Sequence, residues 1–186
     1  MLAVAFAALD TLAHTQRMFA EIDVAAAPDE RLAGVQENVR PYPATLRVLR
    51  ELESLNVRAA LVGRGPAWLV NRLAQVLWFR GDVVVATDAR RFAAVAEWAA
   101  LPPACVWYVT TEADDARAAI AGGMQAIVLD AAAPQALHEP CETGWYAGHS
   151  IDDVLEILRV PYTRSALNLR YIYRTVLEFP PLETLL

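Results

Sequence analysis

The chain has 186 residues with a formal net charge of −6, and 56% of them are hydrophobic. That length suits one domain with a full core, the negative charge excludes a broad electrostatic footprint for nucleic acid, and no apolar run reaches the ~18 residues of a membrane span. Asp10, Arg64, Arg72 and Arg80 interrupt the most apolar stretches. This leaves peripheral membrane association open.

The first element is the apolar run Leu2–Ala8, read as a buried strand. It has no basic residues before it and Asp10 soon after, which argues against a secretory signal, while Cys105 and Cys141 are too few for a disulfide framework and make a reducing cytoplasm the expectation. Ala44–Asn56 reads as a helix with Leu46, Leu49, Leu52 and Leu55 on one side, followed by a strand over Val57–Val62. Gly63-Arg64-Gly65-Pro66 breaks the chain, and Pro66 suits the first turn of a helix running to about Phe79. Asp82–Ala86 is the next strand, and Asp88–Leu101 the next helix, with Phe92, Val95, Ala96 and Ala99 facing inward. Pro102-Pro103 ends that helix, and Ala104–Val109 forms a strand.

Glu112–Ala121 is then a helix stopped by Gly122-Gly123, and Gln125–Leu129 the last clear strand. Residues 130–150 show no sustained period and read as a long loop; Ile151–Leu158 reads as a short helix. The alternation implies an α/β fold, a doubly wound parallel sheet of Rossmann type in a single domain over residues 1–159. Ligands of such sheets sit at the carboxyl ends of the strands.

Residues 160–186 exceed what that sheet requires. A helix there would put Leu169, Ile172, Tyr173, Val176 and Leu177 on an apolar side and Arg170 with Arg174 on another, ahead of Phe179-Pro180-Pro181. An apolar stripe with aromatic residues and Arg suits a segment that docks on a protein partner or a second copy, and equally one that packs on its own domain. The high apolar content adds to the expectation of a covered surface.

Several segments carry a resemblance. Phe6-Ala7-Ala8-Leu9-Asp10-Thr11-Leu12, Arg40-Pro41-Tyr42-Pro43-Ala44-Thr45, Asp115–Ala119 leading into Ala121-Gly122-Gly123-Met124, and Ser150–Leu155 follow one another as in haloacid-dehalogenase (HAD) proteins. Over residues 1–159 the chain resembles that superfamily, and the short interval between Thr15 and Val39 resembles its capless type. The resemblance implies an Asp nucleophile and an Asp acid two residues on, where a carboxylate attacks phosphorus and a carboxyl protonates the leaving group. Here those positions fall on Ala7 and Leu9, or on Ala8 and Asp10 if the alignment moves by one.

The other family motifs are altered as well. The hydroxyl of the second motif falls on Gly63, and the basic residue of the third on Ala86, with Arg90 or Arg91 able to substitute only by reaching from the helix. All sixteen basic residues are Arg. The fourth motif's metal-binding carboxylates fall on Thr111 and Asp115, so Asp10 and Asp115 are the residual metal candidates.

The expected function is therefore a HAD-like pseudoenzyme without a cofactor, an interaction, scaffold or accessory subunit or a homo-oligomer. One alternative is a divergent phosphohydrolase, which would need Mg²⁺. Another is a small-anion or nucleotide sensor at Gly63, Arg64 and Gly65, where a helix start favours anions. The bland reading of that turn is a tight bend with Arg64 in solvent, and that of Asp114 and Asp115 is helix-start electrostatics. His14, His138 and His149 are scattered, the His138/Cys141 pair offers only two zinc ligands, and no Ser/His/Asp arrangement can be assembled.

Overall fold

The computed structural model describes residues 2–15, 34–35, 39–64, 66–132 and 139–165. Its main sheet has six strands: β1 (Ala3–Ala7), β4 (Arg58–Gly63), β5 (Asp82–Val85), β6 (Val106–Thr110), β7 (Gln125–Leu129) and β8 (Tyr146–Gly148). Two further strands, β2 (Ala13–His14) and β3 (Arg40–Pro41), pair antiparallel as a short ribbon. The helices are α1 (Thr45–Ser54), α2 (Ala67–Val76), α3 (Arg91–Ala99), α4 (Ala113–Ala121) and α5 (Ile151–Ser165).

All pairings in the large sheet are parallel, in the order β5-β4-β1-β6-β7-β8. The chain steps outward from β1 on one side and returns to build the other side from β6. Such a reversal leaves a crevice at the carboxyl ends of the central strands, the switch point of doubly wound sheets.

Strand register explains how the two faces are packed. In β1, Val4 and Phe6 face one core layer with Leu61, Trp107 and Val109, while Ala3 and Ala5 face the other with Ala60 and Tyr108. Small alanines on that second face leave room that the fully buried Tyr108 ring fills, edge-on to Phe92 at 5.1 Å between centroids. In α3, Val95 and Ala99 are buried and Phe92 and Ala96 partly so, as the helical spacing requires.

Three expectations need correction. Residues 130–150 are not loop throughout: Tyr146–Gly148 is a sixth strand, parallel to β7. Three residues are too few to show a period of two, so the element is set by its partner strand. The helix beginning at Ile151 runs to Ser165, through Pro161, instead of stopping at Leu158. Asp88–Leu101 divides into a 3-10 turn over Asp88–Arg90 and α3 proper.

The side of α1 that faces the core also differs. Its buried residues are Thr45, Val48 and Leu52, while Leu46 is 40% exposed. A strict three-residue spacing turns about 300° per step and so drifts around the helix, whereas mixed spacings of three and four stay on one side. Leu46 therefore leaves the core, Leu49 stays at its edge half-buried, and both line a surface groove. Among the described residues, no helix is long and apolar enough to cross a membrane.

Candidate active-site crevice

At the carboxyl ends of β1, β4 and β6 lies a crevice of about 500 Å³. β1 delivers Ala7 and Ala8 to it, and the Ala8 N–H donates to the Val62 carbonyl at 2.7 Å, fixing the strand end against β4. Neither alanine offers a nucleophile. Leu9 follows at 38% exposure, also lining the crevice and without a titratable group.

Asp10 has φ 55°, a left-handed conformation that Gly or Asp tolerates. Its Oδ1 accepts the Thr15 N–H at 2.8 Å and the Thr15 hydroxyl at 3.0 Å, while its own N–H donates to Thr15 Oγ1. Tyr42 donates to the Asp10 carbonyl, and burial followed by the Asp10 charge pushes the Tyr42 phenol pKa up. The Thr45 hydroxyl donates to the Leu12 carbonyl at 2.6 Å. The segment after β1 is thus held to the β2–β3 ribbon by Asp10, Thr15, Tyr42 and Thr45. His14 packs edge-on to Tyr42, at 4.4 Å between ring centroids.

β4 ends in Gly63, and the small residue is required by packing. A Cβ there would sit 2.2 Å from Val70 Cγ2, in the first turns of α2. The hydroxyl-bearing side chain that the second HAD motif calls for has no space. Arg64 follows, with Gly65 outside the described residues.

The centre of the crevice is an ion-pair network. Arg91, the first residue of α3, grips Asp115 with two parallel bonds, Nη1 to Oδ2 at 2.9 Å and Nη2 to Oδ1 at 2.6 Å. Arg64 Nη2 adds a third bond to Oδ2 at 2.8 Å and reaches Asp88 through Nε at 3.5 Å. The Arg91 and Asp115 side chains are only 6% and 7% exposed, that of Arg64 44%. Bidentate geometry and burial make the first pair strong, and removal of either partner would strand a buried charge.

The helices explain the placement. Asp115 stands in the first turn of α4, where the dipole favours a carboxylate, and the Thr110 hydroxyl accepts the Glu112 N–H at 3.0 Å to shape the turn before it. Asp114 is the exposed carboxylate of that turn and pairs with Arg117. The Arg91 guanidinium lies over Phe92, 4.7 Å from its centroid, and 5.8 Å from that of Tyr108. Arg91 Nε and the Tyr108 hydroxyl are buried without a hydrogen-bond partner. Burial, partly offset by Arg91, pushes the Tyr108 phenol up to about 12.

The sequence positions therefore fare unequally. Ala7, Leu9, Asp10, Gly63, Arg64, Thr111 and Asp115 all border the crevice. Ala86 does not; its N–H donates to the Gly63 carbonyl at 3.3 Å. The cation enters from Arg91 instead, because a helix start projects a long side chain across the strand ends. Arg64 is held by carboxylates rather than surrendered to solvent. The tail positions Leu169, Arg170, Ile172, Tyr173, Arg174, Val176, Leu177 and Phe179 lie outside the described residues, as do His138 and residues 16–33, which make up most of the interval read as capless.

Solved structures share this architecture. A HAD phosphatase from Thermococcus onnurineus superposes with a TM-score of 0.67 at 16% identity, over 85% of this chain and 98% of that one. The L-2-haloacid dehalogenase from Xanthobacter autotrophicus gives 0.63 at 17%, over 86% and 99%. The fold is HAD-like. A further L-2-haloacid dehalogenase gives 0.65 at 15% identity, and a CbbY protein from Rhodobacter sphaeroides solved with phosphate gives 0.62 at 14%. No protein-family model matches the sequence, and no curated protein matches it significantly.

HAD-like folds that use Mg²⁺ need free carboxylate oxygens at the strand ends. In this crevice both Asp115 oxygens are taken by guanidinium groups, and Asp10 Oδ1 is taken by Thr15. Among the described residues no three His, Cys, Asp or Glu side chains gather where a cation could be held. Held in this way Asp115 offers the ion no free oxygen, which leaves Asp10 and Glu112 as the carboxylates at the crevice.

Proposed function

We propose that this protein uses the HAD-like fold without HAD hydrolysis and acts by association, as an interaction or accessory subunit. The observation that carries the reading is Asp115 held by Arg91 and Arg64 beneath a strand end that presents Ala7. A carboxylate committed to two guanidiniums is not available to a cation, and an alanine cannot attack phosphorus. Likeness of fold brings no activity with it, since unrelated functions share one architecture.

The test is turnover of p-nitrophenyl phosphate by the purified full chain with Mg²⁺. None above the buffer rate is expected, and metal-dependent turnover removed by a chelator overturns the reading. The segment proposed to carry association is residues 166–186. Native mass and copurified partners of the full chain would be compared with an Ile172→Ser/Tyr173→Ser variant, and identical profiles would remove the tail from the proposal.

A small-anion sensor has less support. Asp10, Glu112 and Asp115 line the crevice against Arg64 and Arg91, three carboxylates to two guanidiniums. An incoming anion would have to take Arg64 from both Asp115 and Asp88.

A further inference from the structure

A second concavity, of about 650 Å³, lies at the opposite end of the sheet from the crevice, beside the starts of β4 and β5. One wall is a stripe of α1, Leu46, Leu49, Arg50 and Glu53, at the three- and four-residue spacings that align side chains along a helix. The other wall is the turn after α2, where Trp78 has φ 53° and is 79% exposed, beside Phe79. The left-handed turn is a helix end held by its own hydrogen bonds, Trp78 N–H to the Gln75 carbonyl at 3.1 Å and Phe79 N–H to the Ala74 carbonyl at 2.9 Å, but a tryptophan ring turned to solvent is costly.

We infer that residues 166–186 of the same chain occupy this groove, with the apolar stripe Leu169, Ile172, Tyr173 and Val176 against Leu46, Leu49, Trp78 and Phe79. The path of the chain supports it. Arg47 in the first turn of α1 pairs with Asp152 in the first turn of α5, and the two helices pack together, so they start at the same level and run the same way. At ~1.5 Å per residue α5 is roughly 7 Å longer than α1, so Ser165 ends past the α1 terminus, where Glu53 and Asn56 close the groove. From there the groove is about one helix diameter away, ~10 Å, well within the reach of residues 166–186.

Chemistry agrees with position. Leu46, Leu49, Val57, Ala59, Trp78 and Phe79 line the groove among charged side chains, a mixture that suits an amphipathic segment laid in a groove. Arg58 and Asp82 pair with each other, and the remaining charges of the lining are Arg50 and Arg80 against Glu53, an excess that suits Glu178 and Glu183 beyond the stripe. This placement does not depend on whether the crevice hydrolyses anything. A partner that uses the same stripe would have to displace it from the groove.

The experiment is tryptic digestion of the full chain under native conditions, followed by mass spectrometry at the Arg170 and Arg174 sites. Cleavage there is expected to be about tenfold slower than in a Leu46→Glu/Trp78→Glu variant of equal helix content, because proteolysis follows the population of the released segment. The protection is expected to be independent of protein concentration. Equal cleavage of both chains overturns the inference, and so does protection that grows with concentration, which would mean a second copy supplies the segment. Trp78→Ser alone, at an exposed site, serves if the double variant melts early.

Discussion

Gly63 and Val70 are in such close contact that a Cβ on the glycine would lie 2.2 Å from Val70 Cγ2. Val70 is 2% exposed and cannot swing into solvent. The alteration at the second-motif position is thus built into the packing of α2 on β4. Gly63→Ser is expected to lower stability by about 1–3 kcal/mol, the usual cost of overpacking, without introducing phosphatase activity. Denaturant unfolding with an aryl phosphate assay checks both halves. A fully stable Gly63→Ser protein would show that the contact is loose.

Asp115 should matter more for stability than any other carboxylate of the crevice. Asp115→Ala leaves the buried Arg91 guanidinium unpaired, and about 3–5 kcal/mol of destabilisation is expected. Replacing both partners, as Asp115→Leu with Arg91→Met, is expected to cost much less, because no stranded charge remains. Chemical denaturation of the two single variants and the double variant forms the cycle. Additive losses would remove the ion pair from its central place.

Tyr108 predicts an alkaline limit. The phenol is pushed up to about 12 in the folded chain, against an ordinary value of 10.0. With the folded value above the unfolded one, stability is fully present below pH 10 and is lost as pH rises from 10 towards 12. The loss over that window is on the order of 3 kcal/mol. Tyr108→Phe should flatten this limb. Near pH 7 the same change should be neutral or slightly stabilising, since the hydroxyl removed is buried without a partner. Thermal melts of both proteins at pH 7 to 11 read out both effects.

The sheet could be read in the sequence because β1, β4, β6 and β7 are buried runs bounded by turn signals, and burial on both faces writes itself as continuous apolar residues. β8 could not, since three residues carry no period. The crevice was half legible. Ala7, Gly63 and Asp115 follow from motif spacing, and Arg90 or Arg91 could be named as a cation reaching from the helix beyond Ala86, but spacing could not choose Arg91. Its role depends on the reach of a side chain across strand ends, which linear spacing does not encode. The pairing of Arg64 with Asp115 joins residues 51 positions apart and is visible only in three dimensions.

Asp10 offers a way to separate a structural carboxylate from a metal ligand. Its φ of 55° is one that Gly adopts freely and that Asp tolerates. The Asp side chain adds two acceptor contacts to Thr15 that Gly lacks. If holding Thr15 is its work, Asp10→Asn should be nearly neutral, because the amide oxygen still accepts and Asn tolerates a left-handed backbone. Asp10→Gly should lose about 1 kcal/mol with the hydrogen bonds, and Asp10→Ala about 2, because backbone strain is added to that loss. Thermal melts of the three variants with and without 10-fold molar excess Mg²⁺ would decide it. A metal ligand would instead show Mg²⁺-dependent stabilisation of the parent chain that Asn and Gly abolish alike.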